Sequence, residues 1–359
     1  MNPVWLKQIS AVLRLEIKKS FFARRGLWIY FLALIPVLIW GGHWMVMRYK
    51  AERMHTHAQA SPGVTREKLL SIKQGMTTAE VEAILGHPAS SRTVTRRNGT
   101  EFKYWTYSDG TTTRNITFRD GTVQRLNTEH AACDLQEDTV IFAGIFQFFY
   151  LRLAIFFGCM FVFMNLFRGE ILDRSLHYYF LAPIRRDVLV VGKYLAGLVA
   201  TTVIFCLSTI AQWTIFVLHF DPINRDAYLQ QNNGFSHLLS YVGVTALACL
   251  GYGSVFLAAG ILIRNPLITA ATVLIWESIN GILPAALRQI SVIYYLKSLC
   301  PVEIPMQQGV PPPVALLAVN VDNAPPIVAV LGLLALSAAV VFISTRRIKR
   351  MEINYSTDN

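Results

Sequence analysis

The chain has 359 residues, 53% of them hydrophobic and only 15% charged, where a soluble globular protein carries roughly 25% charged residues. Its 33 Lys and Arg against 22 Asp and Glu give a formal charge of +11, yet a mean hydropathy of +0.40 excludes a nucleic-acid binder and a disordered chain alike. Five cysteines are too few for a disulfide scaffold of this length, and an integral membrane protein remains.

Residues 1–26 mix apolar positions (Trp5, Leu6, Val12, Leu13, Leu15, Ile17, Phe21, Phe22) with Lys7, Arg14, Lys18, Lys19, Arg24 and Arg25. The spacing predicts an amphipathic helix on the inner leaflet, with a solvated basic arm as the alternative. A spanning helix needs about 20 mostly apolar residues to cross a hydrocarbon core ~30 Å thick. Six segments qualify: Leu27–Met47, Ile141–Phe167, Leu195–His219, Leu238–Ile263, Leu267–Leu287 and Pro326–Ser344. The first reads as a signal anchor, because no A-x-A-like cleavage site follows it.

Basic residues set the orientation. Arg168, Arg174, Arg185, Arg186 and Lys193 lie between spans two and three, Arg264 between four and five, and Arg346, Arg347, Lys349 and Arg350 after span six. Both termini are therefore expected in the cytoplasm, with residues 48–138 on the outer side of the membrane. On this topology the cytoplasmic segments hold 16 basic and 6 acidic residues, so nearly all of the net charge is inner-face charge.

Two ionisable residues fall within spans, Arg152 and Glu277. Each costs on the order of 3 kcal/mol there, so they are read as lining a pathway or pairing across the bundle. Snorkelling of Arg152 is the alternative. Thr245, Cys249 and Gly253 form a small-residue stripe suited to close helix contact.

Residues 48–138 break the apolar pattern. Thr65–Gln74 predicts a short helix, and Thr77–Leu85 a clearer one, with Thr at its start, Glu80 in its first turn, Gly86 past its end and Pro88 beyond. Asn98-Gly99, Asp109-Gly110 and Asp120-Gly121 then punctuate runs rich in Thr, Val, Tyr, Trp, Phe and Ile. They predict type I′ hairpin turns in a four-stranded antiparallel meander packed on two helices.

The run Ile72-Lys73-Gln74-Gly75-Met76-Thr77, with Val81, Ile84-Leu85-Gly86 and Pro88, resembles the SmpA/OmlA/BamE-type domain of bacterial envelope lipoproteins. Tyr104-Trp105-Thr106-Tyr107 and Ile116-Thr117-Phe118-Arg119-Asp120-Gly121 match its strand part, so the likeness covers residues 64–127. The lipoprotein cysteine is absent. The resemblance implies binding of an envelope partner or lipid surface rather than catalysis. Gly75 and Gly86 are equally explained as helix ends, and the aromatics as core.

The link between spans two and three reads Arg168-Gly169-Glu170-Ile171-Leu172-Asp173-Arg174, then Leu181-Ala182-Pro183-Ile184-Arg185-Arg186, then Gly192-Lys193-Tyr194-Leu195. It resembles the cytoplasmic loop of type-2 ABC exporter permeases, which couples to a separate ATPase. The resemblance implies an all-α polytopic membrane protein of six spans, here carrying a small inserted α+β domain. It also implies a homodimer, an ABC ATPase subunit that holds ATP and Mg2+, no cofactor on this chain, and a re-entrant or interfacial region over residues 287–325.

Within residues 168–194, Glu170 and Asp173 share a helix face and could hold Arg174 or a partner's basic residue. Pro183 forces a turn. Leu181, Ile184 and Leu189 offer apolar contacts, and Arg185 and Arg186 charge complementarity, to a soluble partner. An ordinary positive-inside loop with a proline turn is the plainer reading.

Neither G-x-x-x-x-G-K-[ST], H-E-x-x-H nor G-x-S-x-G occurs, and no catalytic residue is assigned. His55 and His57, with His130 and Cys133, are read as solvated linkers rather than a metal site. Cys133 and Cys300 both fall on the outer side and could pair, while Cys159, Cys206 and Cys249 read as apolar fillers. The leading expectation is an exporter permease in the inner membrane, with no nucleic-acid partner. The alternatives are a membrane-anchored envelope scaffold that does not transport, whose periplasmic domain binds a partner, and a membrane-embedded enzyme, against which the missing motifs speak.

Overall fold

The computed structural model of the chain describes residues 3–22, 27–95, 100–130, 135–172, 185–220, 222–263, 265–304 and 324–349. The chain divides into two units, one formed by Met1–Ile39, Thr139–Val217 and Pro222–Asn359, the other by Trp40–Asp138 and Leu218–Asp221.

The first unit is helical. It begins with α1 (Pro3–Phe22) and the first part of α2 (Leu27–Ala60). Helix α5 (Leu135–Gly144) passes into a π-helical segment, Ile145–Ile155, and on into α6 (Phe156–Leu172). Next come α7 (Arg186–His219), α8 (Pro222–Asp226), α9 (Gly234–Leu262), α10 (Pro266–Ser278), the single turn α11 (Ala285–Arg288), α12 (Val292–Ser298) and α13 (Pro326–Lys349).

Among the described residues, five helices are long and apolar enough to cross a membrane: Leu27–Ala60, Leu135–Phe167, Arg186–His219, Gly234–Leu262 and Pro326–Ile348. The expected span Leu267–Leu287 is shorter than the sequence suggested. Its α-helix has 13 residues, ~20 Å at ~1.5 Å per residue, against the ~30 Å of a hydrocarbon core. A 3-10 turn, Ile279–Ile282, follows. The apolar count had run across Asn280-Gly281 and Pro284, where glycine is a poor helix former and proline disfavours helix in the residue before it. Helix α7, conversely, starts nine positions earlier than the expected span, so residues 186–194 are helix rather than loop.

Close helix contact is built on small residues. The fully buried ring of Phe163 on α6 lies against α7 and α9, where a Cβ added at Gly197 would meet it at 2.8 Å and one at Gly253 at 2.6 Å. Thr245 and Cys249 of the same stripe are 0% exposed. Cys159, Cys206, Cys249 and Cys300 are free thiols, and Cys133 lies outside the described residues. Many large apolar side chains instead face outward, among them Leu27, Trp28, Phe31, Leu34 and Leu38 of α2 and Leu267, Ile268 and Ile275 of α10, as lipid would allow and water would not.

The second unit holds the rest of α2, then α3 (Arg66–Ser71) and α4 (Thr78–Leu85). Strands β1 (Ser90–Thr95), β2 (Glu101–Ser108), β3 (Thr112–Arg119) and β4 (Thr122–His130) follow. They form one antiparallel sheet in sequence order, with Trp105 opposite Ile116 and Ile116 opposite Leu126.

Helix α4 is fixed by the expected cap. The Thr77 N–H donates to Glu80 Oε2 at 2.7 Å, and the Glu80 N–H to Thr77 Oγ1 at 3.4 Å. Gly86 ends the helix at φ 74°, in the left-handed region that glycine adopts without a Cβ penalty. Asp120 and Gly121 both have positive φ and join β3 to β4 as a two-residue turn, as the I′ expectation requires.

Asp109-Gly110 differs from its expectation. Only Gly110 has positive φ, and the loop takes three residues. There the Asp109 carboxylate accepts from the backbone N–H groups of Thr111 at 2.8 Å and Thr112 at 2.6 Å, so a side chain takes the place of the Asp109 carbonyl as acceptor while the Asp109 N–H still donates to the Thr112 carbonyl at 3.1 Å. Asn98-Gly99 lies outside the described residues.

Leu69, Ile72, Val81, Leu85, Tyr107, Ile116, Phe118 and Val123 form the core of this unit, with Trp105 and Leu126 packed against it. The buried Tyr107 hydroxyl donates to the Gly86 carbonyl at 2.9 Å. The Arg114 guanidinium donates to the Leu69 carbonyl, satisfying a helix end from the sheet.

Candidate functional site

Among the described residues, the chemistry-bearing side chains of the helical unit gather in three places. The first is the start of α7. Lys193 Nζ donates to Glu16 Oε1 of α1 at 2.8 Å and to the Leu166 carbonyl of α6 at 3.0 Å. It stands 5.4 Å from the centre of the Phe167 ring, and the side chains of the pair are 0% and 1% exposed. Desolvating two charges is tolerable only with such satisfied geometry, so removing one partner strands the other.

At the preceding residue a Cβ on Gly192 would come within 2.9 Å of Val12 Cγ1. Glycine here lets α1 lie directly on α7. Val12 itself is 3% exposed.

Arg185 and Arg186 open the same helix. Arg185 forms a two-point pair with Asp187, at 2.9 and 3.2 Å, and its guanidinium lies 4.5 Å over the Trp5 ring of α1. Arg186 donates to the Ile348 carbonyl near the end of α13 at 3.5 Å. The Asp187 carboxylate also accepts from the Val188 N–H at 3.0 Å, a favourable anion at a helix start. Elements α1, α6, α7 and α13 thus meet at one place.

Leu189, expected to face a partner, is 1% exposed and belongs to the chain's own core. Of the other coupling residues, Asp173, Leu181, Pro183 and Ile184 lie outside the described residues. Glu170 is placed in α6, its side chain outside what is described.

The second place is the interior around Glu277 and Arg152, which are 5% and 7% exposed. Glu277 closes α10, and its carboxylate accepts from Ser291 Oγ at 2.7 Å, the Val292 N–H at 3.0 Å and the Ile293 N–H at 2.8 Å. It therefore satisfies the otherwise unpaired donors that begin α12. Arg152, in the π-helical segment, interacts electrostatically with Glu277 and Tyr252. The described part of the outer stretch is packed inward: Val292, Ile293 and Leu296 of α12 are at most 1% exposed, and Tyr295 7%.

A third group was not visible in the sequence. The Tyr150 hydroxyl donates to the Phe205 carbonyl at 2.6 Å, Thr209 Oγ1 to the Tyr150 hydroxyl at 3.3 Å, and the hydroxyls of Thr209 and Thr245 lie 3.0 Å apart. Each residue alone resembles a helix-packing position, and only their juxtaposition makes a polar belt through apolar helices. Outside this unit, the side chains of His130 and Cys133 are not described, and the His57 Nδ1 atom is buried without a hydrogen-bond partner.

The fold and these sites define a mostly helical protein whose long apolar helices suit several membrane crossings, with a small α+β unit between two of them. No protein-family model, curated protein or solved structure matches the chain.

Proposed function

We propose that this chain is the permease subunit of a type-2 ABC exporter in a bacterial inner membrane, working as a homodimer with a separate ATPase that binds ATP and Mg2+. The observation that carries the reading is the joint at the start of α7. The Glu16–Lys193 pair and the Val12–Gly192 contact leave no slack between α1 and α7, so a displacement of one element moves the other. At the outer end of that joint Arg185 is 52% exposed and, with Arg186, offers positive charge to a soluble partner. The chain contains no phosphate-binding loop, which fits energy supplied by another subunit.

The experiment is co-expression of the tagged chain with the adjacent reading frame, which this proposal expects to encode an ABC ATPase. Arg185→Glu combined with Arg186→Glu is expected to abolish co-purification while the variant still elutes as a folded species. Undiminished ATPase recovery would overturn the assignment.

One observation favours the envelope-scaffold reading: β1 stands at the sheet edge with all six residues exposed, the form of an edge that accepts an added strand. On that reading the protein isolated from its native membrane carries an envelope protein and no ATPase.

A further inference from the structure

His43, Asp138 and His219 come from three distant parts of the chain, and all belong to the second unit. His43 lies on α2, Asp138 in the first turn of α5 and His219 in the last turn of α7. One ligand atom from each lies within 4.8 Å of the others. His219 Nε2 is 3.5 Å from Asp138 Oδ2, and these side chains are 1% and 11% exposed. The His43 and His219 rings are 4.9 Å apart, centre to centre, inclined at 51°.

The His43 Nε2 atom is buried and has no hydrogen-bond partner. Such an atom forgoes the hydrogen bond it would make in water, and two imidazoles beside one carboxylate leave nitrogen lone pairs that only a cation or proton can bridge. A cation bound by all three residues removes both penalties.

We propose that His43, Asp138 and His219 bind one divalent transition-metal ion of the Zn2+ class. Two imidazole nitrogens and a carboxylate are a borderline donor set that suits zinc, whereas Mg2+ and Ca2+ prefer oxygen alone. Bond lengths near 2.0–2.1 Å put adjacent tetrahedral ligands about 3.3 Å apart. The His219–Asp138 separation already approximates that edge, and the remaining spread closes by side-chain rotation of under about an ångström each.

Apolar rings flank the site. Trp40 meets His43 edge-on at 5.5 Å, and Phe220 lies 5.6 Å from His219, which keeps bulk water back and strengthens ligation. Three protein donors leave a fourth position for water or a ligand atom, the pattern of sites that do more than hold structure. The ion would also tie α2 to the segments that follow the sheet and precede α8. No sequence motif marks this site, since its ligands follow no short spacing.

The test uses the full-length protein in detergent, purified on a tag without histidine, stripped with a chelator and equilibrated with Zn2+. One equivalent per chain is expected by elemental analysis after dialysis. Loss of a direct ligand is expected to weaken binding by at least about 100-fold, given that even supporting residues cost 10–100-fold. The variants are His43→Gln, Asp138→Asn and His219→Gln. His43→Gln is the decisive one, because its Nε2 gives up no hydrogen bond and the variant has no such reason to misfold. His87→Gln, at an exposed pair with Glu82, should bind as the parent does. Co2+ in place of Zn2+ should give the visible absorption of a four-coordinate site in the parent and lose it in His43→Gln. Zinc uptake by the parent no greater than by His43→Gln, or no uptake at all, would overturn the proposal.

Discussion

The helical unit and the α+β unit solve the burial of polar groups in opposite ways. In the α+β unit sequence neighbours close the helix start and the turn, Thr77 and Glu80 capping one helix between them and Asp109 closing its own turn. Beyond these, Tyr107 and Arg114 reach across to Gly86 and Leu69. In the helical unit the decisive pairs are remote in sequence. Lys193 finds Glu16, and Glu277 finds the start of α12. Apolar helices already satisfy their own backbone, so the few polar side chains left over set which helices meet. In a small sheet domain the backbone itself needs local closure, and short-range side chains supply it.

That contrast can be tested, beginning with the largest effect. Lys193→Met leaves Glu16 buried and uncompensated and is expected to destabilise the helical unit by about 3–5 kcal/mol. Adding Glu16→Leu should recover much of the loss. Thermal unfolding in detergent, with peptide-resolved hydrogen exchange, should show faster exchange in α1 and α7 and unchanged protection in β2–β4. Equal loss in both units would break the comparison.

Phe118→Ala opens a cavity in the core of the sheet unit and should cost about 3 kcal/mol, with the opposite exchange pattern. Removal of the cap by Thr77→Ala should cost about 1 kcal/mol, confined to α4.

The smallest effect is a pH dependence. The Thr77 backbone N–H and hydroxyl hold the Glu80 carboxyl below its ordinary value of 4.5. A depressed carboxylate adds stability that is present above the ordinary value and is lost as pH falls through the lowered one. The difference between the parent and Glu80→Ala should therefore be greatest at neutral pH and shrink as pH falls below 4.5. A difference that stays constant over this range would show that the carboxylate charge is not what caps α4.

Much of the local structure was legible. Thr77, Glu80 and Gly86 bounded α4, Asp120-Gly121 specified its turn, and apolar runs located five long helices. The misreadings share a cause. Counting apolar residues carried the fifth expected span across Asn280-Gly281 and Pro284, and Asp109-Gly110 looked like an I′ pair until the carboxylate took the backbone's part. At the candidate site, Arg185 and Arg186 were singled out as basic residues of a loop that offers charge to a partner. Their intramolecular partners Trp5, Asp187 and Ile348 were not, because nothing in a linear pattern links α1 or α13 to α7.

The sequence by itself determined the class of molecule, the helical or extended character of most segments and the caps and turns that close them, since these depend on side-chain polarity and on contacts within a few residues. Tertiary structure alone decided that Leu189 is core rather than surface, that Glu277 caps α12 rather than standing open in the bundle, and that His43, Asp138 and His219 converge. Those outcomes depend on packing between remote elements, where one buried partner outweighs any preference a residue carries along the chain.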